Sequence, residues 1–293
     1  MLSVLIPTYN HECVLLADEI SAQIDAAGLD AEVVVLDDGS TDMKSLADNS
    51  VIEQIDHCRY VVLPTNIGIA RSRNRLMDEA KGDKLLFLDS DIWPKSDDFI
   101  VRYLEASDKA DVVVGGIDYR RGNEAVANPL RLMYGLRREV RTLKQRLKKP
   151  YDAFNSSSFL IDRSVVSKVR FDETFDRYGH EDTFYGTAIR NAGISIHHID
   201  NCVFHDNTDT ADQYLSKVRI AIQSLSMHAD QLRGSSRLLW AYEKLKALHL
   251  CKPISGFFRL FRAPMERNLK GKHPSMFVLL TYKLSYMCGV MSL

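Results

Sequence analysis

The stretch Leu85-Leu86-Phe87-Leu88-Asp89-Ser90-Asp91 governs how the rest of the sequence is interpreted. Its four apolar residues predict a buried strand, and two aspartates follow where that strand ends. In an open α/β sheet, ligands bind in the crevice beyond the carboxyl ends of the strands. Asp89 and Asp91 point the same way along an extended chain, so they require a cation, a proton or a hydrogen-bond donor between them. Their oxygens suit Mg²⁺ or Mn²⁺, although Asp-Ser-Asp alone is also typical of a turn.

The composition is that of an ordinary globular protein, with 45% apolar residues, 26% charged residues and a net charge of −1 over 293 residues. The small net charge predicts no bulk attraction to nucleic acid, so no nucleic-acid partner is expected. Five scattered cysteines without a Cys-x-x-Cys pair are typical of a reducing compartment. The first apolar run is too short for a secretory signal, so we expect a cytoplasmic protein.

Short apolar runs alternate with helical patterns over the first 116 residues. Pro7 is expected to stop the first strand, and helices are expected over about 12–27 and from Gly68 to about Lys81. Further strands are predicted at residues 3–6, 33–36, 60–63 and 112–115. This alternation predicts a mostly parallel sheet with right-handed crossovers. The chain lacks both the Gly-x-Gly-x-x-Gly dinucleotide fingerprint and the P-loop motif.

Polar and charged residues follow the predicted strands. Asp37 and Asp38 end the second strand and can accept hydrogen bonds from a base or from ribose hydroxyls, but a turn with a helix cap is the alternative. Arg71 and Arg73 lie in the first turns of the next helix, where amides and guanidiniums can hold a diphosphate. A solvated basic face is the alternative there. Asn155 lies in a polar loop and is either a sugar contact or a plain loop residue.

Two segments are strongly basic. Residues 131–149 contain eight Lys or Arg side chains against Glu139, which indicates either a solvated helix face or a site for an anionic acceptor or lipid headgroup. Residues 234–293 contain ten Lys or Arg against Glu243 and Glu266, with aromatic residues between them. This pattern predicts contact with an anionic membrane surface, the alternative being helices packed back on the core. We therefore predict a catalytic domain over 1–233 and a helical extension over 234–293.

Taken together, five motifs in order resemble the family 2 glycosyltransferases of the GT-A fold, and the matching region covers roughly residues 1–205. They are Ser3-Val4-Leu5-Ile6-Pro7-Thr8-Tyr9-Asn10, Asp37-Asp38-Gly39-Ser40-Thr41-Asp42, Asn66-Ile67-Gly68 through Arg73-Asn74, Phe87-Leu88-Asp89-Ser90-Asp91 and Gly179-His180-Glu181-Asp182. The last further resembles the Gly-x-Glu-Asp segment of β-galactosyl- and chondroitin-type transferases, although His180 stands where many relatives carry a small residue. The resemblance implies an α/β fold: a GT-A, Rossmann-like, mostly parallel sheet flanked by helices, with a mainly helical C-terminal extension.

The resemblance also implies a role for each candidate residue. Pro7, Thr8 and Asn10 would line the nucleotide pocket. Asp37 or Asp38 would bind the base, which is expected to be uracil. The remaining roles are Arg73 with Arg71 at the base or diphosphate, Asp89 at ribose or metal, Asp91 and His205 as metal ligands, Asp182 as catalytic base and Glu181 at the acceptor hydroxyls.

The expected function is inverting, Mn²⁺- or Mg²⁺-dependent transfer of a sugar from a nucleotide-diphosphate donor, a UDP-sugar, to a saccharide or lipid-linked saccharide in glycan biosynthesis. The implied location is the cytoplasm, at the inner face of the cell membrane. Two alternatives remain at this point. One is a catalytically inactive carbohydrate-binding or scaffolding subunit. The other is a nucleotidyltransferase, which would need a Gly-rich, Lys-bearing first loop that Pro7-Thr8-Tyr9-Asn10 does not provide.

Overall fold

The computed structural model describes residues 1–122, 125 and 127–292. Its strands are β1 Leu2–Thr8, β2 Ala31–Asp37, β3 Cys58–Val62, β4 Lys84–Leu88, β5 Ile92–Pro94, β6 Val112–Val114, β7 Ile117–Asp118, β8 Ser158–Asp162, β9 Ile196–His198 and β10 Val203–His205. Its helices are α1 Val14–Ala26, α2 Met43–Asn49, α3 Ile69–Glu79, α4 Phe99–Ala106, α5 Pro129–Tyr134, α6 Leu143–Lys148, α7 Arg163–Val166, α8 Glu181–Asn191, α9 Ala211–Met227, α10 Arg237–Ala247, α11 Cys251–Leu269 and α12 Met276–Val290.

Within the described residues, the main sheet has seven strands in the order β3-β2-β1-β4-β8-β6-β9. β1 is parallel to both β2 and β4, β2 is parallel to β3, and β6 is parallel to β9. β8 alone runs antiparallel to its neighbours. All residues of β1 and β2 are buried, as expected of strands covered by helices on both faces. The predicted mostly parallel α/β sheet flanked by helices is confirmed.

The end of the first strand differs from the prediction. β1 continues through Pro7 to Thr8, and Pro7 lies opposite Leu36 of β2. The pairing of β1 with β4 has already ended at Leu5. Pro7 therefore lies outside the part of β1 that is flanked on both sides, where a residue without an N–H is tolerated.

A small second sheet in the order β5-β10-β7 determines where His205 lies. β5 begins directly after Asp91, and β10 pairs antiparallel with it so that His205 lies opposite Ile92. The amide of Asp206 donates to the carbonyl oxygen of Asp91 at 2.8 Å. Two segments more than 110 positions apart in sequence thus meet at the Asp-Ser-Asp turn.

The C-terminal helices pack on one another and on α9. Their apolar cluster includes Tyr282 of α12, Leu215 of α9 and Phe175, so it crosses the predicted boundary between residues 233 and 234. The extension is helical, as predicted, and Leu293 at its end lies outside the described residues. In the described part of the chain, no helix combines the length and apolar character needed to cross a bilayer.

Candidate active site

The candidate residues gather at one edge of the main sheet because β1, β2 and β4 are parallel and end there together. The amide of Asp38 donates to the carbonyl oxygen of Thr8 at 2.8 Å, which connects the ends of β2 and β1. The amide of Asp89 donates to the carbonyl oxygen of Ser157 at 3.0 Å, which brings the 154–158 loop to the end of β4.

Asn10 connects the two loops that follow β1 and β2. Its backbone is left-handed, with φ of 51°, and its amide donates to Oγ of Ser40 at 2.7 Å. Its side-chain oxygen accepts from the amides of Thr41 and Asp42 at 2.8 and 2.9 Å. The hydroxyl of the buried Thr8 donates to the carbonyl oxygen of His11 at 3.0 Å. These bonds give the predicted nucleotide pocket a fixed wall.

Asp37 and Asp38 are both buried, but their carboxylates accept hydrogen bonds from different parts of the chain. Asp37 has no exposed surface; its oxygens accept from the amide of Ser40 and the hydroxyl of Tyr60, each at 2.7 Å. Asp38 accepts from the amides of Ile67 and Gly68 at 2.7 and 3.0 Å, at the start of α3. Burial raises the pKa of Asp38, and the hydrogen bonds from the two amides oppose that rise.

Arg73 lies beneath the site between two acids. One guanidinium nitrogen is 2.9 Å from Oδ1 of Asp89 and another is 3.3 Å from Oε1 of Glu181. The guanidinium also lies 5.1 Å above the ring of Phe171. Burial alone would lower the pKa of Arg73, but the two carboxylates raise it, so the side chain stays charged. Arg73 thus connects the predicted donor side to the predicted acceptor side, whereas the implied role was to face the base or diphosphate.

Arg71, two positions earlier, is different. Its side chain is about half exposed, and its Nε lies 3.5 Å from Oε2 of Glu173. Another of its nitrogens donates to the carbonyl oxygen of Ile67 at 3.4 Å. Arg71 therefore remains at the surface of α3, where it is held only by weak, solvated contacts.

Glu181 and Asp182 occupy the first turn of α8. Burial raises the pKa of both carboxyls; the charge of Asp182 adds to the rise at Glu181, and that of Asp89 adds to the rise at Asp182. Arg73 opposes both rises. Oδ1 of Asp182 accepts from the amide of Thr183 at 2.6 Å. A raised pKa makes a carboxylate a stronger base, which suits it to accept a proton.

The turn before α8 explains the glycine of the Gly-x-Glu-Asp segment. Gly179 has φ of 103°, and a Cβ placed there would lie 2.7 Å from the Cβ of Ala221 on α9. Its amide donates to Oε2 of Glu181 at 3.2 Å. His180 follows with a left-handed φ of 75°. Both the backbone conformation and the contact with α9 require glycine at position 179.

Asp91 and His205, the two predicted metal ligands, face each other. Nε2 of His205 is 3.6 Å from Oδ1 of Asp91, which is too long for a hydrogen bond. The other oxygen of Asp91 accepts from the side-chain amide of Asn207 at 3.2 Å. Burial alone would raise the pKa of Asp91, but His205 and Asn207 hold it below its usual value.

The residues present fit a divalent cation. Two ligand atoms that are each about 2.1 Å from one ion lie no more than about 4.2 Å apart, and the 3.6 Å separation satisfies that limit. Nδ1 of His205 is buried and lacks a hydrogen-bond partner within the described residues. No group of three or more His, Cys, Asp or Glu side chains forms a metal cage in the described part of the chain. A site of this kind takes its other ligands from phosphates and water.

Comparison with known proteins settles the family. The family model described as Glycosyl transferase family 2 matches residues 3–170. The chain belongs to glycosyl transferase family 2. The predicted family is therefore confirmed, and the matched region includes the first two strands, the Asp-Ser-Asp turn and the 154–158 loop.

The relatives of this family 2 chain are distant. An uncharacterized glycosyltransferase of Haemophilus influenzae is 35% identical over 91 residues, which cover 31% of this chain and only 36% of that protein. The mannosyltransferase of Pyrobaculum calidifontis, solved with GDP-Man and Mn²⁺, is 16% identical with a TM-score of 0.57. It aligns with 99% of this chain, which covers 86% of it. Staphylococcus aureus TarS 1–349, solved with UDP-GlcNAc, is 17% identical with a TM-score of 0.53, at 99% and 89% coverage. These structures share the fold.

In this family 2 chain, His205 is also contacted by residues that the sequence did not predict. The ring of Tyr119 stacks on His205, with centroids 5.6 Å apart, and its hydroxyl donates to Glu139. Arg131 holds Glu139 through two bonds of 3.0 Å. Arg131 and Arg146 are buried, so the expectation of a solvated or ligand-binding basic stretch is wrong for these two. The sequence did contain a signal for this ion pair: Glu139 is the only acid among eight basic residues in the 131–149 stretch.

Asn155 lies beside the end of β4, in the loop joined to Asp89. Its side-chain oxygen accepts from the amide of Ser157 at 2.8 Å, so this oxygen stabilises the loop. Its amide nitrogen remains the group that can donate to a sugar.

Proposed function

We propose that this chain transfers a sugar from a nucleotide-diphosphate donor, specifically a UDP-sugar, to a hydroxyl of a saccharide or lipid-linked saccharide in glycan biosynthesis. The observation that carries the proposal is that two acids with different surroundings lie at one edge of the sheet. Asp91 faces His205 across a gap suited to a cation, while desolvation raises the pKa of the partly buried Asp182. Charge neutralisation of a leaving group and acceptance of a proton are the two demands of glycosyl transfer.

On the donor side, we assign base binding to Asp38 rather than Asp37. Asp37 has no exposed surface, whereas Asp38 retains 4% and lies against the start of α3. Pro7, Thr8 and Asn10 form the wall of this pocket, and Asn155 offers its amide to the sugar. Arg71 is the arginine free to reach a diphosphate from the surface, while Asp89 is assigned to ribose or metal.

Asp91 and His205 are assigned as ligands of Mn²⁺ or Mg²⁺. When bound, the cation neutralises the charge that develops on the departing diphosphate. The chain itself fixes the two ligands: Asn207 donates to Asp91, and Tyr119 stacks on His205. Outer contacts of this kind orient metal ligands.

Asp182 is assigned as the catalytic base. Its carboxylate takes the proton of the acceptor hydroxyl as that oxygen bonds to the anomeric carbon. The bond from this carbon to the donor phosphate oxygen breaks, and its electron pair leaves with the diphosphate. Attack from the opposite face inverts the anomeric centre. Glu181 is assigned to the acceptor hydroxyls, and Arg73 positions it through their 3.3 Å contact.

The catalytic unit is assigned to residues 1–233 and acts in the cytoplasm at the inner face of the cell membrane, with the 234–293 extension contacting that membrane. The basic, aromatic composition of the extension supports this assignment.

The test begins with donor binding. Thermal unfolding with Mn²⁺ and each of a panel of UDP- and GDP-sugars identifies the donor by the rise in Tm. Transfer is then measured with the donor found. Asp182→Asn is expected to lower kcat by about 10²–10⁴-fold and to leave donor affinity nearly unchanged. Asp108→Asn, an exposed acid outside the candidate site, serves as the control. Normal turnover by Asp182→Asn would reject the base assignment, and absence of any donor would reject the proposed function.

A further inference from the structure

The exposed apolar side chains are concentrated in the C-terminal helices. Eight of the 17 large apolar side chains that are exposed among the described residues lie between positions 240 and 280. They are Trp240, Leu248, Leu250, Phe257, Leu260, Phe261, Phe277 and Leu280. Scattered exposed apolar residues need no explanation, but a concentration of this kind marks an interaction surface.

Helix α11 divides into three sectors, as follows from about 100° of rotation per residue. Cys251, Phe258 and Leu269 form the buried sector, which packs on the other C-terminal helices. Phe257, Leu260 and Phe261 form a second sector that stays exposed, with Leu260 at 74%. We call this second sector the apolar sector.

The third sector of α11 is basic. Lys252, Arg259 and Arg267 are exposed and form no ion pair with any other described residue. Two other cations of this region are already paired, Arg262 with Glu266 and Lys270 with Asp212. The unpaired cations lie beside the apolar sector, so one side of the helix presents both exposed apolar side chains and positive charge.

We propose that α11 lies in the plane of an anionic lipid surface, with its apolar sector in the headgroup region and its basic sector against lipid phosphates. A helix with these two neighbouring sectors matches the requirements for interfacial binding. A second copy of this chain fits poorly, because residues 234–293 carry ten Lys or Arg against two Glu, and two such surfaces repel. The apolar side chains also protrude from a helix instead of lining a groove for a protein partner.

A series of side-chain contacts connects α11 to the candidate acceptor site. The ring of Phe258 in α11 packs against Tyr282 of α12, with centroids 5.1 Å apart. The hydroxyl of Tyr282 accepts from Arg219 of α9 at 2.9 Å. Ser224 of α9 donates to the carbonyl oxygen of Gly179, two positions before Glu181. Membrane docking of α11 would therefore fix the orientation of the acceptor end of the site relative to the lipid surface, as a lipid-linked acceptor requires; this consequence rests on the proposed function.

The proposal is tested with the full chain and vesicles. Flotation compares vesicles of phosphatidylcholine mixed with phosphatidylglycerol against vesicles of phosphatidylcholine alone. We expect binding to the anionic vesicles that weakens as salt is added. The triple variant Lys252→Gln, Arg259→Gln, Arg267→Gln is expected to lose roughly five-fold in vesicle affinity for each cation removed. Phe257→Gln, Leu260→Gln, Phe261→Gln is expected to lose at least about ten-fold.

Matched controls remove the same kinds of exposed side chain elsewhere. Leu15→Gln, Met43→Gln, Val51→Gln is the apolar control, and Lys81→Gln, Lys109→Gln, Lys168→Gln is the basic control. Circular dichroism and nucleotide binding confirm that each variant folds.

Several results would overturn the proposal. They are no binding to anionic vesicles, equal binding to both vesicle types, equal losses in the controls, or conversion of a dimer to a monomer by the apolar variant. Asp182→Asn distinguishes the two proposals: it is expected to bind vesicles normally while losing transfer.

Discussion

Asp89 and Asp91 are two positions apart, yet their surroundings differ. Asp89 is neutralised by buried Arg73 at 2.9 Å, and Arg73 in turn holds Glu181. Asp91 faces Nε2 of His205 across 3.6 Å, a separation too long for a hydrogen bond. The first acid belongs to a closed ion cluster, and the second to a pair that is open to a cation. The same residue type at the same strand end is therefore paired with a buried arginine in one case and faces an imidazole in the other.

The largest expected effect comes from breaking the closed cluster. Arg73→Met leaves Asp89 and Glu181 without their buried cation and should lower the free energy of unfolding by about 3–5 kcal/mol. Arg71→Met is the matched control, because its half-exposed ion pair contributes less than about 1 kcal/mol. Urea unfolding measures both variants. Equal losses would show that Arg73 is not the centre of a buried cluster.

The next largest effect is expected on Mn²⁺ binding when Asp91 or His205 is replaced. Asp91→Asn and His205→Gln should each weaken Mn²⁺ binding in the presence of UDP by more than about 100-fold, because even outer-layer partners of a metal contribute 10–100-fold. Asp89→Asn should weaken it by less than about ten-fold, since its oxygen is already bound to Arg73. Calorimetric titration measures the affinities. A larger loss for Asp89→Asn than for Asp91→Asn would reverse the comparison.

A smaller effect is expected from the groups that orient the pair. Asn207→Ala removes the donor at 3.2 Å from Asp91 and should weaken Mn²⁺ binding by about 10–100-fold. Tyr119→Phe keeps the ring against His205 and removes only the hydroxyl bonded to Glu139, so it should have the weaker effect of the two. The same titration ranks them, and an unchanged affinity for Asn207→Ala would show that this contact does not orient Asp91.

The smallest expected effect is a shift in the pH dependence of kcat/KM. Burial raises the pKa of Asp182, and the negative charge of Asp89 raises it further. The carboxylate form of Asp182 is therefore lost as pH falls through a value above the usual 3.9 or so of an aspartate. Asp89→Asn removes one of the raising charges, so the acid limb of kcat/KM should move to lower pH. Asp176→Asn, an exposed acid, should leave the limb in place, and a move to higher pH in Asp89→Asn would contradict the coupling.

By itself, the sequence determined the family, the alternation of strands and helices, and the chemistry available at the strand ends. These features are local: apolar runs, strand-end aspartates and the order of five short motifs are visible without a fold. Asp91 and His205 were named together as metal ligands only because the resemblance supplied the second residue, and that role stays a prediction. Periodicity alone would not have brought together two positions so far apart in sequence.

Only the tertiary structure decided which charged side chains are buried in ion pairs within the fold. The sequence offers Arg73 as a diphosphate ligand or as part of a solvated basic face, but α3 packs so that the guanidinium is buried between Asp89 and Glu181. Arg131 reads as part of a solvated basic stretch, yet Glu139 and the ring of Tyr119 enclose it. The physical reason is that the role of a charged side chain depends on its burial and its partners. Both follow from how distant elements pack, and the local sequence does not record that packing.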